Sequence, residues 1–144
     1  MQDFPHHYRV AASAEHTGNV ELSSGGVAPL ESAPPAEFGG PGDQWSPESL
    51  LVAAVADCFV LSFRAIARAS KLEWSSLRCN VIGTLDRVER KAQFTGFEVA
   101  AELVVPAGTD EAKAQRLLEK AEDACLITNS LIAESHLDAT VQVG

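Results

Sequence analysis

Between Ser46 and Ser70 the chain carries one long run, SPESLLVAAVADCFVLSFRAIARAS, whose first half is apolar almost all the way round. A helix of that composition has no face suited to water, so it must lie at the centre of whatever the rest builds. Ser46 is a favourable N-cap and Pro47 suits the first helical position, which predicts a helix from there to about Ser70. Its second half, with Arg64, Arg68 and Lys71, emerges towards solvent. The most apolar stretch, Leu50 to Val60 with Asp57 inside it, falls short of the ~18 residues that span a bilayer, so no membrane partner is expected.

The elements around that helix follow from alternation and turn residues. Tyr8, Val10, Ala12 and Ala14 alternate, then Val20 and Leu22 resume after Thr17-Gly18-Asn19, which reads as a β-hairpin. Residues 25 to 42 hold nine Gly and Pro in eighteen positions and read as a long irregular loop, a kind of segment that is commonly functional in a small domain. Beyond the helix, Leu77, Cys79, Val81 and Leu85 alternate, as do Phe97, Val99, Ala101, Leu103 and Val105, with the charged stretch Asp86 to Lys91 as the hairpin loop. Thr109 is the expected cap of a second helix whose apolar positions Ala114, Leu117, Leu118, Ala121 and Ala124/Cys125 follow the i, i+3, i+4, i+7 rule. A short helical turn over Asn129 to Ala133 and a closing strand through Leu137, Ala139, Val141 and Val143 complete the chain. The order predicts an α+β fold in one domain over residues 1–144, with antiparallel sheet covering central helices.

Charge narrows the partners. Eleven basic against twenty acidic residues give a net charge of −9, with no Lys/Arg cluster, which disfavours nucleic acid and anionic surfaces. Met1-Gln2-Asp3-Phe4-Pro5 is neither basic nor apolar enough for a secretory leader, and the expected location is a reducing cytoplasm. Three cysteines without CxxC spacing form neither a disulfide framework nor a zinc ribbon, and leave reactive thiol or core filler as the readings. His6, His7 and His136 have no partners at ligand spacing, so neither a metal nor another cofactor is expected.

Two cysteines stand in apolar helical runs 67 positions apart, Cys58 in SPESLLVAAVADCF and Cys125 in AEDACLITNSL. With the intervening hairpin and amphipathic helix, this arrangement resembles the OsmC/Ohr family of osmotically inducible and organic hydroperoxide resistance proteins over nearly the whole chain. The resemblance implies an OsmC-like fold in an intertwined homodimer with sites at the subunit interface. It implies a peroxiredoxin-like oxidoreductase that reduces organic hydroperoxides, with Cys58 as the attacking thiol and Cys125 as the resolving one. An external dithiol, a lipoylated protein or a small molecule, would then restore both thiols.

In the family an Arg in the N-terminal hairpin, held by the helix-one Glu, lowers the pKa of the reacting thiol. Glu48 matches that Glu, but His16 stands near the expected Arg, and no Lys or Arg occurs between Val10 and Arg64. His is a weaker thiolate stabiliser than a permanent guanidinium. Arg9 and Arg64 are the other cations at hand, though neither matches a family position. This departure keeps a second reading open, a non-catalytic small-molecule or lipid binder or a redox sensor on the same scaffold.

Each candidate also has a plainer role. Cys58 alone reads as core filler sooner than as nucleophile, an order that the second motif at Cys125 reverses, and Cys79 reads as core. Glu48 suits a helix N-terminus, and His16 a solvated turn. Trp45 is a staple against the helix start or a pocket wall beside the Gly/Pro loop. Phe59 is a core residue or part of an apolar funnel for a lipid-like substrate. Ten helical residues rise about 15 Å, so Glu48 and Cys58 of one straight helix do not meet around one small substrate, and a shared site requires Glu48 from a partner chain.

Overall fold

In a computed structural model, which describes all of Met1–Gly144, the chain divides into two compact units, Met1–Leu51 and Val52–Gly144. The first unit holds three short antiparallel strands in the order β1-β2-β3: β1 (Ala11–Ser13), β2 (Val20–Ser23) and β3 (Leu30–Ser32). The expected hairpin is present with Ala12 opposite Leu22, its turn carried by Gly18 at φ 92°. The Gly/Pro segment is more ordered than its composition suggests. Leu30 pairs with Leu22 to make β3, a 3-10 turn covers Ala36–Phe38, and the Ala33 N–H donates to the Trp45 carbonyl at 2.8 Å. Strand pairing was available there because Leu30-Glu31-Ser32-Ala33 is the longest stretch of that segment free of Gly and Pro.

Helix α1 (Pro47–Ala69) begins as predicted. The Ser46 hydroxyl accepts from the Ser49 N–H at 3.1 Å, and the Ser49 hydroxyl accepts from the Ser46 N–H at 2.9 Å, a reciprocal cap that satisfies two orphan donors. By length and composition α1 is long and apolar enough to cross a membrane, contrary to the expectation from its uninterrupted run, yet only 22% of its most apolar stretch is buried within the chain.

The second unit is a sheet ordered β4-β5-β6, from β4 (Ser76–Val88), β5 (Lys91–Val105) and β6 (Glu134–Val143). The β4–β5 hairpin is longer than expected. Residues Asp86 to Val88 of the expected loop stay paired, and the connection is only Glu89 and Arg90, both at positive φ (50° and 72°), as a two-residue turn demands. Joining strands of this sheet, β5 and β6 run parallel, with Val99 opposite Leu137 and Ala101 opposite Ala139. The α+β class holds, but this pairing is not the antiparallel one expected. The segment between them contains helices, and such a crossover returns the chain in the same direction.

Helix α2 (Glu111–Ala124) is capped by Asp110, whose carboxylate accepts from the Lys113 N–H at 3.1 Å, and not by Thr109. Cys125 ends it, and a further turn, α3 (Leu126–Asn129), starts at once, three residues earlier than the expected turn. Cys125 has extended backbone (φ −65°, ψ 104°), which breaks the helix and re-aims the chain. The core of this unit joins the buried stripe of α1 (Val55, Phe59, Phe63, Ala67), the inner row of β5 from Phe97 to Val105, and the Leu118 face of α2. Gly83 on β4 lets α1 come close, since a Cβ there would stand 2.8 Å from a Val52 methyl.

Candidate functional site

Because successive helix residues point about 100° apart, the two faces of α1 differ. Val55, Phe59, Phe63 and Ala67 recur every four residues and are buried in the second unit's core. Ala54, Cys58, Leu61, Ser62 and Ala65 lie on the other side and line a cavity of about 470 Å³ that is open to solvent. Leu126 and Ile127 of α3 close its far wall, and Asp57 is the one charged residue in the lining. The cavity is thus mostly apolar, with a thiol, a hydroxyl and a carboxylate as its side-chain polar groups.

Cys58 and Cys125 come together here as free thiols. The Cys125 side chain lies close enough to the Cys58 sulfur to favour its ionised form. Cys125 is 2% exposed and sits behind the wall, whereas Cys58 is half-buried and faces the cavity. Only one of the pair is therefore presented to an incoming molecule.

The apolar surroundings that oppose a charge at Cys58 are outweighed locally. Burial pushes its thiol up, but the Ile127 N–H, the Cys125 thiol, the Ser62 hydroxyl and the Leu126 N–H favour its ionised form, and the net result is a pKa below the ordinary value. The two backbone donors exist because Leu126 and Ile127 open α3, and the first N–H groups of a helix have no partner within it. The break at Cys125 turns them towards Cys58. The polar residues of the ITNS stretch then pin α3 in place. The Cys125 carbonyl accepts from the Asn129 N–H at 3.0 Å and the Thr128 hydroxyl at 3.1 Å, and the Ser130 hydroxyl donates to the Leu126 carbonyl at 2.7 Å.

These donors were missed in reading the sequence for a cation. One signal was there, since Ser62 is four residues after Cys58 on one helix face, whereas the helix break that frees the N–H groups after Cys125 has no sequence signature. Arg64 is exposed and absent from the cavity wall.

The other candidates are placed apart. Phe59 is 1% exposed and belongs to the core face, so it does not line the cavity; Leu61, Leu126 and Ile127 supply the apolar wall instead. Glu48 stands in the first turn of α1, half-buried, with Oε1 enclosed and without a hydrogen-bond partner. His16 is exposed in the bend between β1 and β2. Trp45 is 47% exposed, bridging Ser32 through its backbone. None of the three is among the residues that line the cavity.

Cys79 behaves as the expected core thiol. It is half-buried on the inner face of β4, and burial, aided by repulsion from Cys125, pushes it up to about 11. At pH 8 alkylation with iodoacetamide, followed by peptide mass spectrometry, is expected to label Cys58 well before Cys79. Equal labelling would contradict the contrast between the two environments.

Comparison with known proteins settles the lineage. A family profile described as "OsmC-like protein" matches residues 40–140. The chain belongs to the OsmC family. It is 30% identical over 134 residues to an organic hydroperoxide resistance protein of Xanthomonas axonopodis pv. citri, covering 90% of this chain and 91% of that one. Among solved structures, an OsmC-like protein of unknown function from Vibrio cholerae superposes with a TM-score of 0.87 at 16% identity, over 94% of this chain and 100% of that one. An organic hydroperoxide resistance protein OsmC from Legionella pneumophila gives 0.72 at 25% identity, over 99% of both chains.

Proposed function

We propose that this OsmC-family chain is a thiol peroxidase that reduces organic hydroperoxides through Cys58 and Cys125. The observation that carries the reading is the pairing of a cavity-facing, donor-stabilised Cys58 with a second free thiol beside it. The Cys58 thiolate attacks the terminal oxygen of ROOH. The O–O bond breaks, Cys58 becomes a sulfenic acid, and the departing alkoxide takes a proton from water to leave as ROH. The Cys125 sulfur then displaces hydroxide from the sulfenic sulfur, releasing water and forming the disulfide. An external dithiol reduces that disulfide by two exchange steps and leaves as its own disulfide. No bound cofactor enters the cycle. A reducing cytoplasm suits it, since thiol reductants are kept available there.

In the same reading the active species is an intertwined homodimer. A helix as apolar as α1 with so little of it buried, together with exposed Tyr8, Val10, Val27 and Phe38, leaves surface that a second copy would cover. Glu48, with its enclosed and unpartnered carboxylate oxygen, then serves the partner's thiol, and His16 and Trp45 complete the substrate pocket. The cavity wall without Lys or Arg favours one other reading, an apolar-ligand binder that has lost the chemistry. Steady-state consumption of tert-butyl hydroperoxide with dihydrolipoamide as reductant separates the two. Turnover is expected, and its absence would leave the binder.

A further inference from the structure

Ser62 takes no part in the bond changes of the cycle as drawn, yet it is the one hydroxyl on the cavity wall. It lies one helical turn beyond Cys58, so both side chains project from the same face of α1. The Ser62 Oγ is 3.9 Å from the Cys58 Sγ, within hydrogen-bonding range for sulfur, and the sulfur is its hydrogen-bond partner. Serine in a helix interior commonly turns its hydroxyl back to the carbonyl four residues earlier. Here it reaches the side chain of that residue instead.

The charged and titratable groups that face Cys58 make this contact consequential. From α1 there is Asp57, a carboxylate that opposes a neighbouring negative charge; from the junction of α2 and α3 there is the Cys125 thiol; α3 itself supplies none. With no cation in the wall, the stabilisation of a thiolate falls on neutral donors. A neutral donor gains strength when its acceptor becomes charged.

Building on the reading of Cys58 as the nucleophile, we infer that Ser62 is a catalytic residue whose hydroxyl donates to the Cys58 thiolate and, together with the α3 N–H groups, takes the place of a cation. When the sulfur takes the peroxide oxygen it loses its charge, and the donor is released from it.

The test measures the thiolate itself and not turnover. Iodoacetamide labelling of Cys58 is followed by peptide mass spectrometry from pH 5 to 10 in the wild type, Ser62→Ala and Ser62→Thr. Ser62→Ala keeps the helix, because Ala is the strongest helix former. It is expected to move the labelling midpoint to higher pH and to slow labelling at pH 7 about tenfold, the effect of one pKa step on the thiolate fraction. Ser62→Thr, which restores the hydroxyl, is expected to return both to the wild-type values. An unchanged midpoint in Ser62→Ala overturns the inference, and so does an equal shift in both variants, which would trace the effect to packing. Hydroperoxide consumption is measured separately. A wild-type protein that shows the Ser62-dependent midpoint but consumes no hydroperoxide would sink the peroxidase reading and leave Ser62 as the donor to the Cys58 thiolate.

Discussion

Replacing Cys58 with Ser is expected to reduce hydroperoxide consumption to the uncatalysed background, a loss of about three orders of magnitude or more, as removal of a sole nucleophile generally does. The reason lies in the site's division of labour. Only Cys58 combines access to the cavity with donors that favour its ionised form, while Cys125 is enclosed and Cys79 is pushed up to about 11. Neither remaining thiol can take over. The pH dependence has a definite sign. The Cys58 pKa is lowered, so the reactive thiolate extends to lower pH than that of an ordinary thiol and is lost as pH falls through that lowered value. A Cys58→Ser protein that consumes hydroperoxide at the wild-type rate would remove Cys58 from the mechanism.

The largest expected effect on stability is at Phe63. It is fully buried on the α1 core stripe, and its ring meets Trp74 edge-on with centroids 5.5 Å apart. Truncating it removes most of a buried aromatic side chain and leaves a cavity beneath the helix that carries Cys58. Phe63→Ala is expected to cost about 3–5 kcal/mol. That is a large fraction of the roughly 5–15 kcal/mol by which domains are held folded, and it should lower the thermal midpoint by about 10 °C. Urea denaturation followed by tryptophan fluorescence checks it, at matched protein concentration because an oligomer's midpoint depends on concentration. A loss below about 1 kcal/mol would mean that the stripe does not anchor α1 as its burial indicates.

Much of this was legible in the chain. The Ser46-Pro47 start, the apolar run and the two alternating stretches are local signals, and they place α1, β4 and β5 correctly. Cys58 and Cys125 were legible because each sits in a recognisable run. What the sequence hid depends on choices made at single residues or across distance. Thr109 and Asp110 are both good caps, and only the geometry of the preceding Gly108 turn, at φ 89°, selects Asp110. Glu89 and Arg90 do not look like a two-residue turn, since neither is Gly or Asn, yet the long pairing on both sides holds them at positive φ. The parallel seating of β6 rests on non-local pairing with β5, which no alternation pattern encodes.

Phe59 and Ser62 show the same lesson at the site. Adjacency to Cys58 in sequence suggested a shared pocket for Phe59, but adjacent helix residues diverge by about 100°, and Phe59 turns into the core. Four residues, not one, is the spacing that shares a face, and it brings Ser62 to the sulfur. No Lys or Arg lines the cavity, and the groups beside the sulfur are neutral donors. Backbone N–H donors leave no mark in composition, and they became visible only once Cys125 was seen to end one helix and open the next.

Treating the fully reduced protein with one equivalent of tert-butyl hydroperoxide, quenching by alkylation and mapping the thiols by mass spectrometry tests the pairing of the two cysteines most directly. A disulfide linking Cys58 to Cys125, with Cys79 alkylated as a free thiol, is the predicted product. Cys58 driven to sulfinic acid while Cys125 stays free, or all three thiols recovered intact, would contradict it.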